Sequence, residues 1–154
     1  MHDAIYERRR GEFLVSTDRA RLDLDLIHRV LEATYWASGI PRDVVARSIA
    51  GSVAFGVYDH GQQVGFARVV SDLATYAYLA DVFIVEEWRG QGLGDWLVES
   101  IRLHPQLQGL RRFALITRDA GPLYARHGFT KPAEPFGYME LVDREVYQRP
   151  GRAE

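Results

Sequence analysis

An α/β fold of the α+β-like kind is predicted, with a mixed, mostly antiparallel central sheet and helices on both faces. Two observations carry that reading. Three strand-like runs, Ser52–Tyr58, Gln63–Val70 and Thr75–Val85, follow one another with only short turns between them, as in an antiparallel meander. A periodic apolar helix then separates the third run from another strand-like segment, Arg112–Thr117, and a helical crossover returns the chain parallel.

The elements follow in order. Glu12–Ser16 alternates enough for an edge strand. From Asp23 to Trp36, apolar residues recur at helical spacing through Leu24, Ile27, Leu31 and Tyr35. Gly39 and Pro41 divide this helix from a second, Pro41–Ala50, which carries Val44, Val45 and Ile49 on one face and ends at Gly51. Asp59-His60-Gly61-Gln62 is the turn of a hairpin, since Asp and Gly accept its dihedrals. The crossover helix repeats Leu93, Trp96, Leu97 and Ile101 and stops at His104-Pro105. Ala120–His127 is a short helix with Pro122 in its first turn, closed by Gly128. Phe129 and Tyr138–Val142 can supply closing strands, and Asp143–Glu154 is a polar tail. With no repeat or linker, the 154 residues are expected to form one domain, 1–154.

Composition removes several chemistries. There is no cysteine, so disulfides, thiolate nucleophiles and Cys-ligated zinc go together, and a reducing cytoplasm is the expected compartment. His28, His60, His104 and His127, four of the five histidines, lack metal-ligand spacing, so no metal is expected. A net charge of -2 offers no general attraction to nucleic acid. Met1-His2-Asp3-Ala4 lacks the pattern of a signal peptide, and no apolar window approaches about 18 residues, so no membrane association is expected. The oligomeric state stays open, a homodimer included.

The chemistry concentrates in Arg89-Gly90-Gln91-Gly92-Leu93-Gly94, between a strand and a helix. Glycines let the backbone turn tightly and approach a ligand closely. The amides and dipole of the following helix favour an anion, and Arg89 adds positive charge. A pyrophosphate cradle is the functional reading, and a plain surface turn is the alternative. A Walker loop needs Gly-Lys-Ser/Thr, which is absent, and a Rossmann fingerprint needs glycine where Asp95 stands.

This loop resembles the signature Gln/Arg-x-x-Gly-x-Gly/Ala of the Gcn5-related N-acetyltransferase (GNAT) superfamily. Ile84-Val85-Glu86-Glu87-Trp88 is similar to its Val-x-Pro-x-Tyr lead-in, with Glu86 for Pro. Asp119-Ala120-Gly121-Pro122-Leu123-Tyr124-Ala125-Arg126-His127-Gly128-Phe129 resembles its second element, Asn-x-x-Ala-x-x-Phe-Tyr-x-x-x-Gly-Phe, with Asp119 in place of Asn. The resemblance covers Gly51 to Phe129. It implies splayed fourth and fifth strands and acetyl-CoA as cosubstrate. Pantetheine would run along the Val82-Phe83-Ile84 backbone, with Asp119 also at the cofactor and diphosphate on the amides from Arg89 to Gly94. Tyr124 matches the tyrosine that protonates the leaving thiolate; packing under the cofactor is its plainer role.

The family's usual strand glutamate is matched here by Tyr78. Asp81 is the one carboxylate in Tyr76–Phe83, and an acid in an apolar strand needs a partner or a task, so it is the candidate base or ammonium anchor. Strict alternation puts it on the face opposite Tyr78 and Val82, unless a bulge intervenes. A structural Asp bonded to backbone is the alternative. Tyr35, Trp36, Tyr76 and Tyr78 are candidates to line the acceptor pocket, or simply to pack. Arg8-Arg9-Arg10, Arg68 and Asp72 read as solvated surface. The expected activity is acetyl transfer to a primary amine, small molecule or peptide, by direct attack. A non-catalytic acyl-CoA sensor and a nucleotide-binding module are the alternatives.

Overall fold

The computed structural model describes residues 4–132 and 137–149. Six strands form one sheet in chain order: β1 (Glu7–Arg10), β2 (Phe13–Ser16), β3 (Val53–Asp59), β4 (Gln62–Ser71), β5 (Tyr76–Ile84) and β6 (Arg112–Ala114). Neighbours are antiparallel from β1 to β5, and β6 is parallel to β5. The helices are α1 (Leu24–Glu32), α2 (Arg42–Ala50), α3 (Leu93–Arg102) and α4 (Gly121–Ala125). None is long and apolar enough to cross a membrane.

Each face of the sheet carries its own core. On one, Leu93, Trp96, Leu97 and Ile101 of α3 and Tyr124 of α4 pack on Val57, Val69, Ala77 and Leu79. On the other, Ile27 and Leu31 of α1 and Val45 and Ile49 of α2 cover Ala54, Phe66 and Phe83. Each fully buried aliphatic side chain contributes about 1.5–3 kcal/mol, so either layer alone outweighs any single surface interaction. The Asp23 side chain caps α1 by accepting from Leu26 N–H at 3.1 Å, which fixes where the helix begins. The β3–β4 hairpin turns at His60-Gly61 with φ of 51° and 84°, the left-handed pair a two-residue turn requires.

Several sequence expectations need correction. The predicted edge strand is the second of a hairpin: Arg8-Arg9-Arg10, read as solvated surface, lies in β1 and pairs with Val15, Leu14 and Phe13. The strands counted as fourth and fifth from the sequence are therefore β5 and β6. The first helix stops at Glu32 instead of reaching Trp36, because Thr34 takes the Leu31 carbonyl with its own hydroxyl at 2.6 Å. The strand expected to run to Thr117 ends at Ala114, where β6 leaves β5. Phe129 and Tyr138–Val142 form no strand, and Met139 and Leu141 are fully exposed. The tail is not wholly solvated: Tyr147 packs on the α1–α2 core and Gln148 Nε2 donates to the Ser38 carbonyl at 3.0 Å. Its last residues, 150–154, and the start, 1–3, lie outside the described residues.

Candidate active site

The site begins where two strands part. β5 and β6 pair only through Tyr76↔Arg112, Ala77↔Phe113 and Tyr78↔Ala114, and beyond them β5 runs on to Ile84 without that neighbour. Val85 N–H bonds Val64 O at 2.8 Å on the β4 side. Main-chain groups alternate direction along a strand, so those of Ile84 and Val82 point into the gap and those of Phe83 toward β4. A ligand lying along this edge finds donors and acceptors from Val82 and Ile84.

A bulge sets the chemistry of the gap. Phe66 pairs with Phe83 but Arg68 with Ala80, so Asp81 and Val82 together oppose Ala67. Asp81 is the extra residue and takes φ 58°, a left-handed conformation that Asp tolerates better than most. Its carboxylate consequently joins Arg68, on the face covered by α1 and α2. Arg68 Nε donates to Asp81 Oδ2 at 2.6 Å, and Arg68 Nη1 donates to Ser52 Oγ at 3.2 Å. The Asp81 side chain is only 8% exposed. Its other oxygen, Oδ1, accepts from Trp36 Nε1 at 2.9 Å. Asp81 is thus partnered by side chains, and each oxygen retains a second lone pair.

The segment after α1 crosses the gap. Trp36 reaches Asp81 on the β5 side, while the neighbouring Tyr35 ring lies 3.7 Å beneath the Arg118 guanidinium on the β6 side. The two rings meet edge to face at 5.0 Å. Tyr124 lies on the β6 side too, 8% exposed in the α3 core and edge-on to Phe129. Burial, with the Tyr35 phenol adding to it, raises the Tyr124 pKa above the ordinary tyrosine value. The phenol is therefore a neutral proton donor across the physiological range.

At the open end of β5 stands the glycine loop. Gly90 and Gly92 adopt φ of 84° and 81°, which other L residues rarely take. Gly92 caps α3 with no side-chain bond, and the first intrahelical bond is Trp96 N–H to Gly92 O at 3.1 Å. The amides of Leu93, Gly94 and Asp95 precede it and face out of the helix end. A Cβ on Gly94 would meet nothing nearer than Leu123 Cδ2 at 4.0 Å, so no protein contact demands glycine there. A close ligand would. The chain thus fits a diphosphate at this position. Arg89 Nε ties the loop to the Ile84 carbonyl at 2.8 Å, and Arg10 Nη2 bonds the Gln91 carbonyl at 3.2 Å while lying 5.0 Å over Trp96. Asp95, an acid in the first turn, is neutralised from the other side. Arg126 Nη2 and His127 Nε2 each approach it at 2.9 Å, and Arg126 first, then His127, hold its carboxyl below the usual carboxylate range.

The structure therefore brings Tyr35, Trp36, Asp81, Val82, Ile84 and Tyr124 to one gap, with Arg89 to Gly94 at its end. Tyr78 faces the same layer as Arg68, and its phenol pKa is raised, chiefly by burial. Tyr76 stands at the closed end of β5, about 16 Å of strand from Asp81, and is not part of the gap. Asp119 is exposed just ahead of α4. Sequence reasoning missed Arg10, Arg118 and the partnership of Arg68 with Asp81. Only the last had a signal, an Arg and an Asp each inside an apolar strand.

Comparison with known proteins agrees with this geometry. The family model described as an acetyltransferase (GNAT) domain matches residues 50–131. A Gibberella zeae protein described as a candidate acetyltransferase is 32% identical, over 92% of each chain. A crystal structure of a candidate GNAT-family acetyltransferase from Xanthomonas campestris pv. campestris superposes with TM-score 0.84 at 47% identity, covering 96% of this chain and 99% of that one. A Clostridium acetobutylicum structure, a predicted acetyltransferase with acetyl-CoA, shares the fold with TM-score 0.58 at 14% identity, covering 90% of this chain and 96% of that one. The chain belongs to the GNAT acetyltransferase family.

Proposed function

We propose that this protein is an acetyl-CoA-dependent N-acetyltransferase acting on a primary amine by direct attack. The observation that carries the reading is the parting of β5 and β6 between an uncapped, glycine-lined helix end and the buried Tyr124 phenol. Acetyl-CoA, when bound, supplies the acetyl group as a thioester. The amides from Arg89 to Gly94 hold its diphosphate, with Arg89 and Arg10 adding charge, and the backbone of Val82 and Ile84 aligns its pantetheine arm. Asp119 borders the same arm. Tyr124, kept neutral by burial, gives its proton to the departing sulfur, which leaves far more readily as a thiol.

The acceptor enters from the α1–α2 side, past Tyr35, Trp36 and Tyr78. Asp81 receives its ammonium on the lone pairs that Arg68 and Trp36 leave free. Because two fixed donors already hold that carboxylate, anchoring the ammonium suits it better than taking the proton away, and the ammonium loses that proton to solvent water before the free amine attacks the thioester carbonyl. The test is an acetyl-CoA turnover screen across an amine library with detection of free thiol. Thiol release matched by acetylated amine supports the reading. Tight binding of acetyl-CoA with no amine-dependent release would favour a sensor instead.

A further inference from the structure

The acceptor side of the gap holds two arginines and one carboxylate. Arg68 and Asp81 satisfy each other at 2.6 Å, with side chains 20% and 8% exposed. Arg118 has no carboxylate partner among the described residues, although Asp119 adjoins it in sequence. Its stabilising contact is the Tyr35 ring, 3.7 Å below the guanidinium carbon. Tyr35 is held in turn by the edge-on Trp36 ring and, through Trp36, by Asp81. The stack therefore belongs to the same strap that crosses the gap, and Arg118 is fixed at its β6 end while Asp81 is fixed at its β5 end.

A guanidinium lying flat on an aromatic ring spends its face and keeps its edge. The N–H groups of that edge lie in one plane and match the two oxygens of a carboxylate or phosphate. Stacking also removes rotamer freedom before any ligand arrives, so less is lost on binding. Beside it, Tyr35 and Trp36 remain 51% and 47% exposed, apolar surface that a ligand would cover. A site whose paired charges cancel but which keeps one spare cation repels a simple alkylammonium. It accepts an amine whose own negative group meets that cation.

We propose that the acceptor is an amine that also carries an anionic group, a carboxylate or a phosphate, with its amine directed to Asp81 and its anion read by Arg118. This inference rests on the acetyl-transfer reading and names the substrate class for it.

The experiment compares matched acceptors that differ in the anion alone: amino acids against their amides, and O-phosphoethanolamine against ethanolamine. Each kcat/KM is measured for the wild type, Arg118→Ala and Arg118→Lys, with coenzyme A affinity measured by calorimetry for all three. Taking the anionic-to-neutral ratio in each protein, then comparing proteins, cancels differences in amine basicity. The expected result is a wild-type preference for the anionic member of at least one pair, lowered about tenfold or more in Arg118→Ala and partly restored in Arg118→Lys. Tenfold corresponds to about 1.4 kcal/mol. The pair that shows the effect tells carboxylate from phosphate. Coenzyme A affinity should not change.

Turnover of neutral and anionic amines alike, or a preference that survives Arg118→Ala, overturns the inference and leaves acetyl transfer standing. A loss of coenzyme A affinity in Arg118→Ala that accounts for the whole kinetic effect also overturns it, since Arg118 would then read the cosubstrate. If no amine is acetylated although coenzyme A binds, acetyl transfer itself fails, and the inference with it.

Discussion

The two ends of the gap are built in opposite ways. The glycine loop is six consecutive residues, Arg89 to Gly94, and presents main-chain amides at a helix end. The proposed acceptor side is assembled from Tyr35, Trp36, Arg68, Asp81 and Arg118, residues drawn from across the chain and joined by side-chain contacts. A main-chain site is fixed once the backbone is fixed, and it suits a diphosphate, which is the same in every reaction. A side-chain site can be rewritten one residue at a time, and it suits whatever varies. The difference teaches where changes should abolish the activity and where they should redirect it.

The largest effect should come from the loop. Gly94→Val places its Cβ 4.0 Å from Leu123 Cδ2, an ordinary van der Waals contact, so the fold should persist. Coenzyme A affinity should fall at least about a hundredfold, or about 2.7 kcal/mol. Calorimetry reads the affinity, and an unchanged melting temperature shows that the loss is local. If binding survives, the cradle assignment is wrong.

Next is Tyr124→Phe, which keeps the ring and removes the proposed proton donor. Turnover should drop about a hundredfold with coenzyme A affinity retained. Since burial raises the phenol pKa, the acid form persists beyond the ordinary tyrosine range. The alkaline fall of kcat that reports this phenol should therefore lie above about pH 10 in the wild type. A wild-type rate in the variant would leave Tyr124 as packing.

Asp81→Asn tests the acceptor side while sparing the backbone, because Asn also tolerates the left-handed conformation and can still accept from Trp36. It uncouples Arg68. An ammonium anchor predicts a KM rise of about tenfold with kcat little changed. A base predicts a fall in kcat and loss of the acidic limb of the pH profile. A lower melting temperature with normal kinetics would make the residue purely structural.

The smallest effect belongs to Asp95→Asn, whose side chain turns from the glycine loop to Arg126 and His127. Its folded pKa is depressed by Arg126 and His127, so its contribution is complete above the unfolded carboxylate pKa and is lost as pH falls through the folded one. The variant should melt slightly lower than wild type at pH 7. The gap should close as pH drops below about 4, which calorimetric scans can follow.

What was legible in the sequence divides along the same line. The meander, the crossover helix and the glycine loop were read from local spacing, and each is where the spacing put it, whereas Tyr124 was singled out by the family resemblance. The N-terminal hairpin was hidden because an edge strand of Arg8, Arg9 and Arg10 carries no apolar alternation. Tyr35 and Trp36 prolonged a helical pattern that Thr34 cuts short. Arg118 gave no signal at all, since an arginine in a loop is ordinary until an aromatic ring from another element lies beneath it. Tyr138–Val142 misled in the other sense: its apolar residues suggested a strand, but no neighbouring strand pairs with it among the described residues.

The extra residue at position 81 changes the parity of its strand. Ala77 and Leu79 share a face with Val82 and Ile84, although Leu79 and Val82 are three steps apart and a regular strand returns to a face only after an even number. Deleting residue 81 would thus do more than remove a carboxylate. It would remove the bulge and leave Leu79 and Val82 two steps apart, so regular alternation would keep Val82 and Ile84 on the α3 face and Phe83 on the α1–α2 face, with no kink between them. A relative one residue shorter here carries one unbroken alternation through the whole strand and the same faces on either side of the missing residue. Aligning such chains without a gap would slip by one residue just where the cosubstrate is expected to lie.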